Sequence, residues 1–485
     1  MLTRLESREI RRRTRHADPG RAGQRPRPDL PPGTDLLPQI RHIVVLMMEN
    51  HSYDNYLGML TGRGDGLALG TDGAPAATNP GRDASQVRAH HLASTVQVPR
   101  VPTQSWHASH LQWDGGRNDG FVRSVLDTVA GVPAADAAIP MGYWTERDLP
   151  FYHGLARTFP VADHWFCSCL GPTFPNRRFL LAGTALGLID DLPFELVDYP
   201  PNGTVFDLLT SHGISWRNYH HVSPLDVVLR RALGGAGLVA LRRLASLGRW
   251  FPSLVAAERG NKTFTADLYP LGLARCLLHL RSAARFFADA DAGTLPAFSL
   301  VDPDFLTFSE ENPQDIRKGE SFAAEVINRV MHGRGWPHTL LIWTYDEHGG
   351  YFDHVPPPEA VPPDDVLGRS VLTTPAWAQP LLKRFFPRYL AGVAKLDAGP
   401  VRYDRYGFRV PAVIVSPYAR PGYVTSQVFD HTAVLKLLGH KWNLPPLTAR
   451  DAAAAAPLDA LDLDGPPAFL TPPALPAPGL AWGSW

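Results

Sequence analysis

Oxygen-bearing side chains follow two strongly apolar runs of this sequence. Glu49 and Asn50 come directly after one run, and Asp346 and Glu347 come directly after another. Hard divalent cations take carboxylate and amide oxygens as ligands. Each pair alone could equally serve a turn or a helix cap. If the two runs lie side by side in a sheet, the four residues form a candidate metal site.

A threonine hydroxyl is the second candidate for chemistry. Thr173 lies in GPTFPNRR (171–178), where two prolines precede an apolar stretch, a pattern typical of a tight loop that enters a helix. Backbone N–H groups and the helix dipole stabilise a phosphate or an alkoxide at such a position. Two interpretations stay open: Thr173 caps the helix, or it is a nucleophile that a metal ion activates.

The elements that must position these residues indicate an α/β fold. Four apolar runs are typical of buried parallel strands, and helical periodicity lies between them. Strands are predicted at 40–48, 297–301, 339–345 and 410–416, and helices at 205–212, 321–332 and 431–442. This alternation predicts a mostly parallel central sheet flanked by helices. Ligands bind outside the carboxyl ends of the strands in such sheets, which is where the polar residues lie.

Composition divides the chain into one main domain and two tails. Residues 1–38 are rich in Arg, Pro and Gly and are expected to be disordered, whereas residues 39–445 form the main domain. Residues 446–485 are an Ala/Pro-rich tail that we expect to be loosely packed or disordered. An apolar segment with paired arginines, residues 224–259, interrupts the domain. It is predicted either to pack as an ordinary insertion or to act as a lid that contacts a membrane surface.

Charge and cysteine content exclude several classes of protein. The 47 Lys and Arg residues balance 47 Asp and Glu residues, so a general nucleic-acid binder is not expected. Three cysteines cannot form a disulfide framework, and no apolar run reaches the ~18 residues of a membrane span. The N-terminal arginine cluster lacks the apolar segment of an export signal. A cytoplasmic location is the default expectation, with secretion or membrane association left open.

Seven stretches between residues 40 and 445 carry a resemblance to a known family. They include ENHSYDNYLG after the first strand, GPTFPNR, and YDEHGGYFDHVPPP. By these stretches together, the chain resembles the phosphoesterase family of bacterial phospholipases C and related acid phosphatases, within the alkaline-phosphatase-like superfamily. The resemblance implies an alkaline-phosphatase-like α/β fold and a metal-dependent phosphoric ester hydrolase. A phospholipase C-like phosphodiesterase is favoured. The alternatives are a phosphomonoesterase and a catalytically weak phospholipid- or phosphate-binding protein.

The resemblance also implies roles for individual residues. Thr173 is implied to be the nucleophile that forms a phosphothreonine intermediate. Asn176 is implied to bind the phosphoryl oxygens. His354 is implied to contact the phosphate or to move a proton, or alternatively to hydrogen-bond the ligand carboxylates. The implied metal ligands are Glu49, Asn50, Asp346, Glu347 and Thr173, around a divalent ion whose identity is open among Mg, Ca, Mn and Zn.

Two departures from the family pattern affect the acid/base machinery. Family members often carry a histidine where this chain has Gln104, and many carry one where it has Asn312. His107 is a candidate catalytic replacement, although a packed or surface histidine is the alternative. Asn312 can donate to a phosphate oxygen but cannot carry a proton. The predicted substrate-binding set is Asn312, His110, Arg177 and His431, for a phosphate ester, with a phospholipid and peripheral membrane contact left open.

Overall fold

The computed structural model describes residues 24–82, 85–133, 135–191, 200–221, 265–268, 276–364 and 402–484. Most of the predicted N-terminal tail (residues 1–23) and the predicted insertion at 224–259 lie outside the described residues. Their expected disorder and lid function therefore stay predictions.

An eight-stranded sheet forms the centre of the fold. The strands of the structure are β1 (His42–Met48), β2 (Thr78–Pro80), β3 (Gln86–Arg88), β4 (His90–His91), β5 (Gly142–Tyr143), β6 (Val161–Ala162), β7 (Trp216–His220), β8 (Leu280–Ser282), β9 (Phe298–Val301), β10 (Thr339–Tyr345), β11 (Ala412–Val415) and β12 (Val424–Thr425). The central sheet has the order β12-β6-β11-β10-β1-β9-β7-β8. Within it, β11 pairs antiparallel with both neighbours, and the remaining pairings are parallel. The predicted mostly parallel α/β fold is confirmed.

Strands β1 and β10 lie side by side at the centre of this sheet. All of β10 and six of the seven residues of β1 are buried, which is why both read as continuous apolar runs. Met48 pairs with Tyr345 at the last position of both strands. The chain therefore leaves both strands at the same level, and the polar residues that follow each strand become neighbours.

Ten helices are found among the described residues. They are α1 (Tyr53–Leu57), α2 (Trp106–Trp113), α3 (Phe121–Thr128), α4 (Pro150–Thr158), α5 (Thr173–Ala182), α6 (Val205–Ser211), α7 (Ala283–Ala292), α8 (Ile316–His332), α9 (Thr432–Lys441) and α10 (Ala449–Ala453). The predicted helices correspond to α6, α8 and α9. Helix α8 begins five residues before its predicted start, because Asp315 caps it by accepting a hydrogen bond from the backbone N of Arg317.

Both tails pack on the domain where they are described. Trp482 packs against Phe308 and Phe322, and the backbone N of Gly479 donates to Glu320 at 2.8 Å. At the other end of the chain, the backbone N of Arg27 donates a hydrogen bond to the side chain of Asn443, which follows α9. The described part of the C-terminal segment thus contacts the domain through an aromatic side chain and a backbone hydrogen bond, and the predicted division into one domain and two tails stays a prediction.

No helix among the described residues combines the length and the apolarity needed to cross a membrane.

Candidate active site

Two glycines allow the loops after β1 and β10 to approach each other. Gly349 and Gly350 have φ of +66° and +81°. A Cβ on Gly349 would lie 1.9 Å from the carbonyl oxygen of Asn50, and a Cβ on Gly350 would lie 2.4 Å from that of Thr103. Asn50 itself has φ +84°, which asparagine tolerates better than most residues. The geometry therefore needs glycine in YDEHGG so that the two loops can meet.

Four buried oxygen-bearing side chains converge where these loops meet. One terminal atom of the Asn50 amide lies 2.8 Å from Asp346 Oδ1 and 2.9 Å from Glu347 Oε1. Thr173 Oγ1 is 3.4 Å from the same atom. The Asn50 amide has two possible orientations. If the atom nearest the carboxylates is the amide nitrogen, Asn50 donates hydrogen bonds to both of them. If it is the amide oxygen, four oxygens face one another, and such a set of oxygens binds a hard divalent cation. The residues present therefore fit the predicted metal ion.

The electrostatics of this cluster also favour a cation. Burial, followed by the charge of the Asp346 carboxylate, raises the pKa of Glu347 well above its ordinary value. The backbone N of Gly349 donates a hydrogen bond of 2.8 Å to Glu347 Oε2. This hydrogen bond lowers the pKa of Glu347 and so offsets the rise only in part. A divalent ion among these oxygens would offset the repulsion and keep Glu347 ionised.

Arg177 balances the acidic groups from inside the protein. Its Nε lies 2.7 Å from Asp346 Oδ2, Nη1 lies 3.0 Å from Asp302 Oδ1, and Nη2 lies 3.4 Å from Glu49 Oε1. The side chain is fully buried. Arg177 therefore lies behind the cluster of oxygen-bearing side chains, and its predicted contact with substrate stays a prediction. Asp302 was not among the predicted site residues, although it follows β9 just as Glu49 follows β1.

The loop before α5 fixes the position of Thr173. Helix α5 begins at Thr173, and Pro172 occupies the N-cap position, so the interpretation of Thr173 as a helix cap is wrong. The Asn176 amide donates to the carbonyl oxygens of Gly171 (2.8 Å) and Pro172 (3.0 Å), and its oxygen accepts from the backbone N of Cys169 (3.0 Å). Asn176 thus shapes the loop. Its predicted contact with phosphoryl oxygens would require these bonds to break and stays a prediction.

His354 lies in a network of charges rather than beside the oxygen cluster. Its Nδ1 is 2.7 Å from Asp54 Oδ2, and its Nε2 is 3.3 Å from Asp65 Oδ1. Although burial opposes it, the hydrogen bond and charge of Asp54 raise the pKa of His354 to about 9. The ring is therefore an imidazolium near neutral pH. The carboxylates that it contacts are not the predicted metal ligands, and its catalytic role stays untested.

Ligand atoms of Asp54, Asp353 and His354 lie within 4.8 Å of one another, a grouping that could by distance alone hold a metal ion. Arg409 already lies between the two carboxylates, with Nη2 3.1 Å from Asp54 and Nε 2.8 Å from Asp353. Because a guanidinium supplies the positive charge here, we interpret this group as a buried ion network.

Two further histidines are buried beside the loop after β10. His431 is buried, with Nε2 2.6 Å from the carbonyl oxygen of Asp346, while Trp165 Nε1 lies 3.4 Å from its Nδ1. It thus anchors the loop after β10, and its predicted contact with substrate stays a prediction. His348, which follows the ligand pair, has Nε2 2.7 Å from Gln112 Oε1 and was not predicted. Its position within YDEHGG is the signal that could have identified it.

Helix α2, which carries His107 and His110, packs on the loop before Thr173, and Asn312 contacts the segment that leads into α2. A Cβ on Gly171 would be 2.9 Å from the Trp106 ring, so α2 packs directly on the loop before Thr173. The His110 ring packs at a tilt against Trp106, with Nδ1 2.7 Å from the Trp106 carbonyl oxygen, whereas His107 is partly exposed. The Asn312 amide donates to the carbonyl oxygen of Pro102 at 3.2 Å. Their predicted roles in catalysis and binding stay predictions.

Comparisons with known proteins agree with the geometry. The model of the phosphoesterase family matches residues 40–445. The chain is 31% identical to phospholipase C A of Mycobacterium tuberculosis, over 92% of this chain and 80% of that protein. It is 32% identical to phospholipase C B of the same species, over 89% and 79%. It is also 26% identical to non-specific phospholipase C6 of Arabidopsis thaliana, over 86% and 71%.

Proposed function

The chain belongs to the phosphoesterase family, and on this premise we propose that it is a phospholipase C-like hydrolase that cleaves a phosphodiester through a phosphothreonine intermediate. One observation carries the proposal. The Thr173 hydroxyl, at the start of a helix, converges with oxygens of Asn50, Asp346 and Glu347. The curated relatives named as phospholipases C favour a diester over a monoester substrate.

A divalent ion completes this site, in keeping with the metal use that the family implies. Asn50, Asp346, Glu347 and Thr173 would hold it, with Glu49 beside them on the side of Arg177. Bound there, a divalent cation lowers the pKa of a coordinated hydroxyl and offsets the charge of a transferring phosphoryl group. Oxygen donors suit Mg, Ca and Mn, and they also occur around Zn. Add-back of each ion to the chelated protein identifies it.

The protein's own residues orient the nucleophile. Asn50 hydrogen-bonds the Thr173 hydroxyl, and the helix dipole of α5 favours negative charge at its first residue. Thr173 Oγ1 gives up its proton to solvent and attacks phosphorus in line, the bond to the leaving alcohol breaks, and that alkoxide takes up a proton. Water then cleaves the bond between Thr173 and phosphorus: its oxygen joins phosphorus, a proton returns to Thr173 Oγ1, and a phosphomonoester is released. His107 on α2 is the candidate for donating the proton.

The substrate class is tested with two chromogenic esters. We expect faster hydrolysis of p-nitrophenyl phosphocholine, a diester, than of p-nitrophenyl phosphate, a monoester, with both activities lost on chelation. Faster hydrolysis of the monoester would instead make the protein a phosphomonoesterase. Binding of phosphate or of phospholipid vesicles without turnover of either ester would support the binding protein and contradict the proposal.

A further inference from the structure

Glu310 is a buried carboxyl group that the proposed mechanism does not use. Its two side-chain oxygens accept hydrogen bonds from three tyrosine hydroxyls. Oε1 accepts from Tyr152 at 2.5 Å, whereas Oε2 accepts from Tyr56 at 2.9 Å and also from Tyr345. All three tyrosines are fully buried, and they belong to α4, α1 and β10. The Glu310 carboxyl group therefore joins three elements of the fold inside the protein.

The hydroxyl of Tyr345 connects Glu310 to the loop after β10. Tyr345 is the last residue of that strand, and the predicted ligands Asp346 and Glu347 follow it directly. The hydrogen bond with Glu310 fixes the Tyr345 side chain at the point where the chain leaves the sheet. It therefore restricts the direction in which the two carboxylates are presented.

The backbone around Glu310 contacts the loop after β1. The carbonyl oxygen of Ser309 accepts a hydrogen bond of 3.0 Å from the backbone N of Glu49. The carbonyl oxygen of Glu310 lies 3.1 Å from Nε2 of His51. Because Asn50 lies between Glu49 and His51 in the sequence, the residues on both sides of it are tied to this segment. The same two residues, 309 and 310, thus contact the chain around both predicted ligand pairs.

The fold makes room for Glu310 in an uncommon conformation. Its φ is +78°, a left-handed value that residues other than glycine adopt rarely and keep only where the surrounding contacts fix it. A Cβ on Gly319 of α8 would lie 2.0 Å from Glu310 Cγ, so glycine is needed there for the Glu310 side chain to reach the tyrosines. Backbone strain of this kind is concentrated at functional sites. The conformation of Glu310 is therefore consistent with a role beyond filling the core.

We propose that Glu310 is a positioning residue, which holds the loops after β1 and β10 where their oxygen-bearing side chains converge on a divalent ion. The inference rests on the proposed function and adds a residue that acts through its neighbours. Glu310 contacts one loop through Tyr345 and the other through His51. Without these contacts, the loops populate arrangements in which the oxygens do not converge. The apparent affinity for the ion then falls with the fraction of molecules in the binding arrangement.

Two deletions of a single hydroxyl separate positioning from packing. Tyr345→Phe removes the hydrogen bond at the end of β10. Tyr152→Phe, the matched control, removes a hydrogen bond to the same carboxyl group from α4, which carries none of the predicted site residues. Both hydroxyls are buried, so the two variants should lose a similar amount of stability. In Tyr152→Phe, Glu310 keeps its contacts with Tyr56, Tyr345 and His51.

The first readout is the affinity of the chelator-treated protein for Mn²⁺, Ca²⁺, Mg²⁺ and Zn²⁺, each titrated alone by calorimetry. Tyr345→Phe should weaken binding about fivefold, because one hydrogen bond changes an equilibrium constant by about that factor. The second readout is kcat and KM for p-nitrophenyl phosphocholine. At a limiting concentration of the ion, kcat of Tyr345→Phe should fall and KM should change little, and excess ion should restore kcat. Tyr152→Phe should leave ion affinity and kcat unchanged.

Two substitutions of Glu310 itself complete the test. Glu310→Ala removes the acceptor of all three tyrosines and should weaken ion binding about tenfold or more. Glu310→Gln keeps an oxygen for Tyr56 and Tyr345, and its amide can donate to the oxygen of Tyr152. The glutamine variant should therefore retain the ion affinity of wild type. If Glu310→Ala does not fold, the pair of phenylalanine variants decides the question.

Equal ion affinities in wild type, Tyr345→Phe and Tyr152→Phe would overturn the inference and leave Glu310 as a residue of the core. Equal losses in the two phenylalanine variants would also overturn it, because packing alone accounts for them. A wild-type protein that binds none of the four ions would overturn it together with the metal site. If wild type binds an ion and does not hydrolyse the ester, the proposed function fails, and the ion affinities of the variants still decide the role of Glu310.

Discussion

Replacement of Arg177 by methionine tests whether its guanidinium holds the acidic groups of the site together. Arg177 contacts Asp346, Asp302 and Glu49 and is fully buried. It also donates to the carbonyl oxygens of Met47 and Met48, at 3.3 and 3.1 Å. Methionine has a similar length and no charge. The variant therefore leaves three carboxylates in the interior without this cation.

The expected loss of stability follows from these contacts. Removing one partner of a buried ion pair costs about 3–5 kcal/mol. Because three carboxylates share this guanidinium, we expect a loss near the upper end, about 5 kcal/mol, against a total stability of about 5–15 kcal/mol. A buried carboxylate without a cationic partner is neutralised by a proton more readily as the pH falls. The loss should therefore shrink between pH 8 and pH 5.

Arg63→Met is the control for this experiment. Arg63 is half-buried and donates to the carbonyl oxygens of Arg157, Phe159 and Tyr423. Leaving carbonyl groups without a donor costs about 1–3 kcal/mol, and carbonyls do not titrate. Thermal unfolding of both variants is measured at several pH values. Equal, pH-independent losses in the two variants would refute the role assigned to Arg177.

Two further predictions concern titratable groups outside the cluster of Asn50, Thr173, Asp346 and Glu347. Burial raises the pKa of Glu310 to about 8, against hydrogen bonds from Tyr56, Tyr152 and Tyr345. The folded state therefore holds this proton more tightly than the unfolded state, and stability falls as the pH rises from about 4.5 to 8. In Glu310→Gln, the melting temperature should depend less on pH across this range. A decline of the melting temperature parallel to that of wild type would contradict the prediction. The pKa of His354 is higher in the folded protein than in the unfolded chain. The stability that its protonated ring contributes to the folded protein is therefore fully present below about pH 6.5 and is lost as the pH rises through about 9. The melting-temperature difference between wild type and His354→Gln should shrink across that window, and a constant difference would count against the ion network.

Strands that are buried on both faces were predictable from the sequence. The runs that became β1, β9, β10 and β11 were placed within two residues, because each is continuously apolar. Strand β7, WRNYH, was missed because its polar residues break the apolar run, although its residues are mostly buried. The two-residue strands β6 and β12 carry too little periodicity to be recognised in a sequence.

The candidate site was predictable in part. The end-to-end register of β1 and β10 brings the polar residues that follow the two strands close together, as their positions after two apolar runs indicated, whereas their role as metal ligands stays a prediction. The partners of Arg177 follow three different strands, so its position behind the ligands depends on sheet order, which the sequence did not reveal. The contact between Asp191 and Phe174 joins residues 17 positions apart through a loop. No local pattern marks such a contact.

Direct detection of a phosphorylated Thr173 tests the central claim. Wild-type protein turning over p-nitrophenyl phosphocholine is quenched with acid, digested and analysed by mass spectrometry, with Thr173→Ala as the control. We predict a phosphocholine adduct on Thr173 in wild type, and no adduct and no turnover in a folded Thr173→Ala protein. Substantial turnover by Thr173→Ala, or an adduct on another residue, would contradict the assignment of Thr173 as the nucleophile.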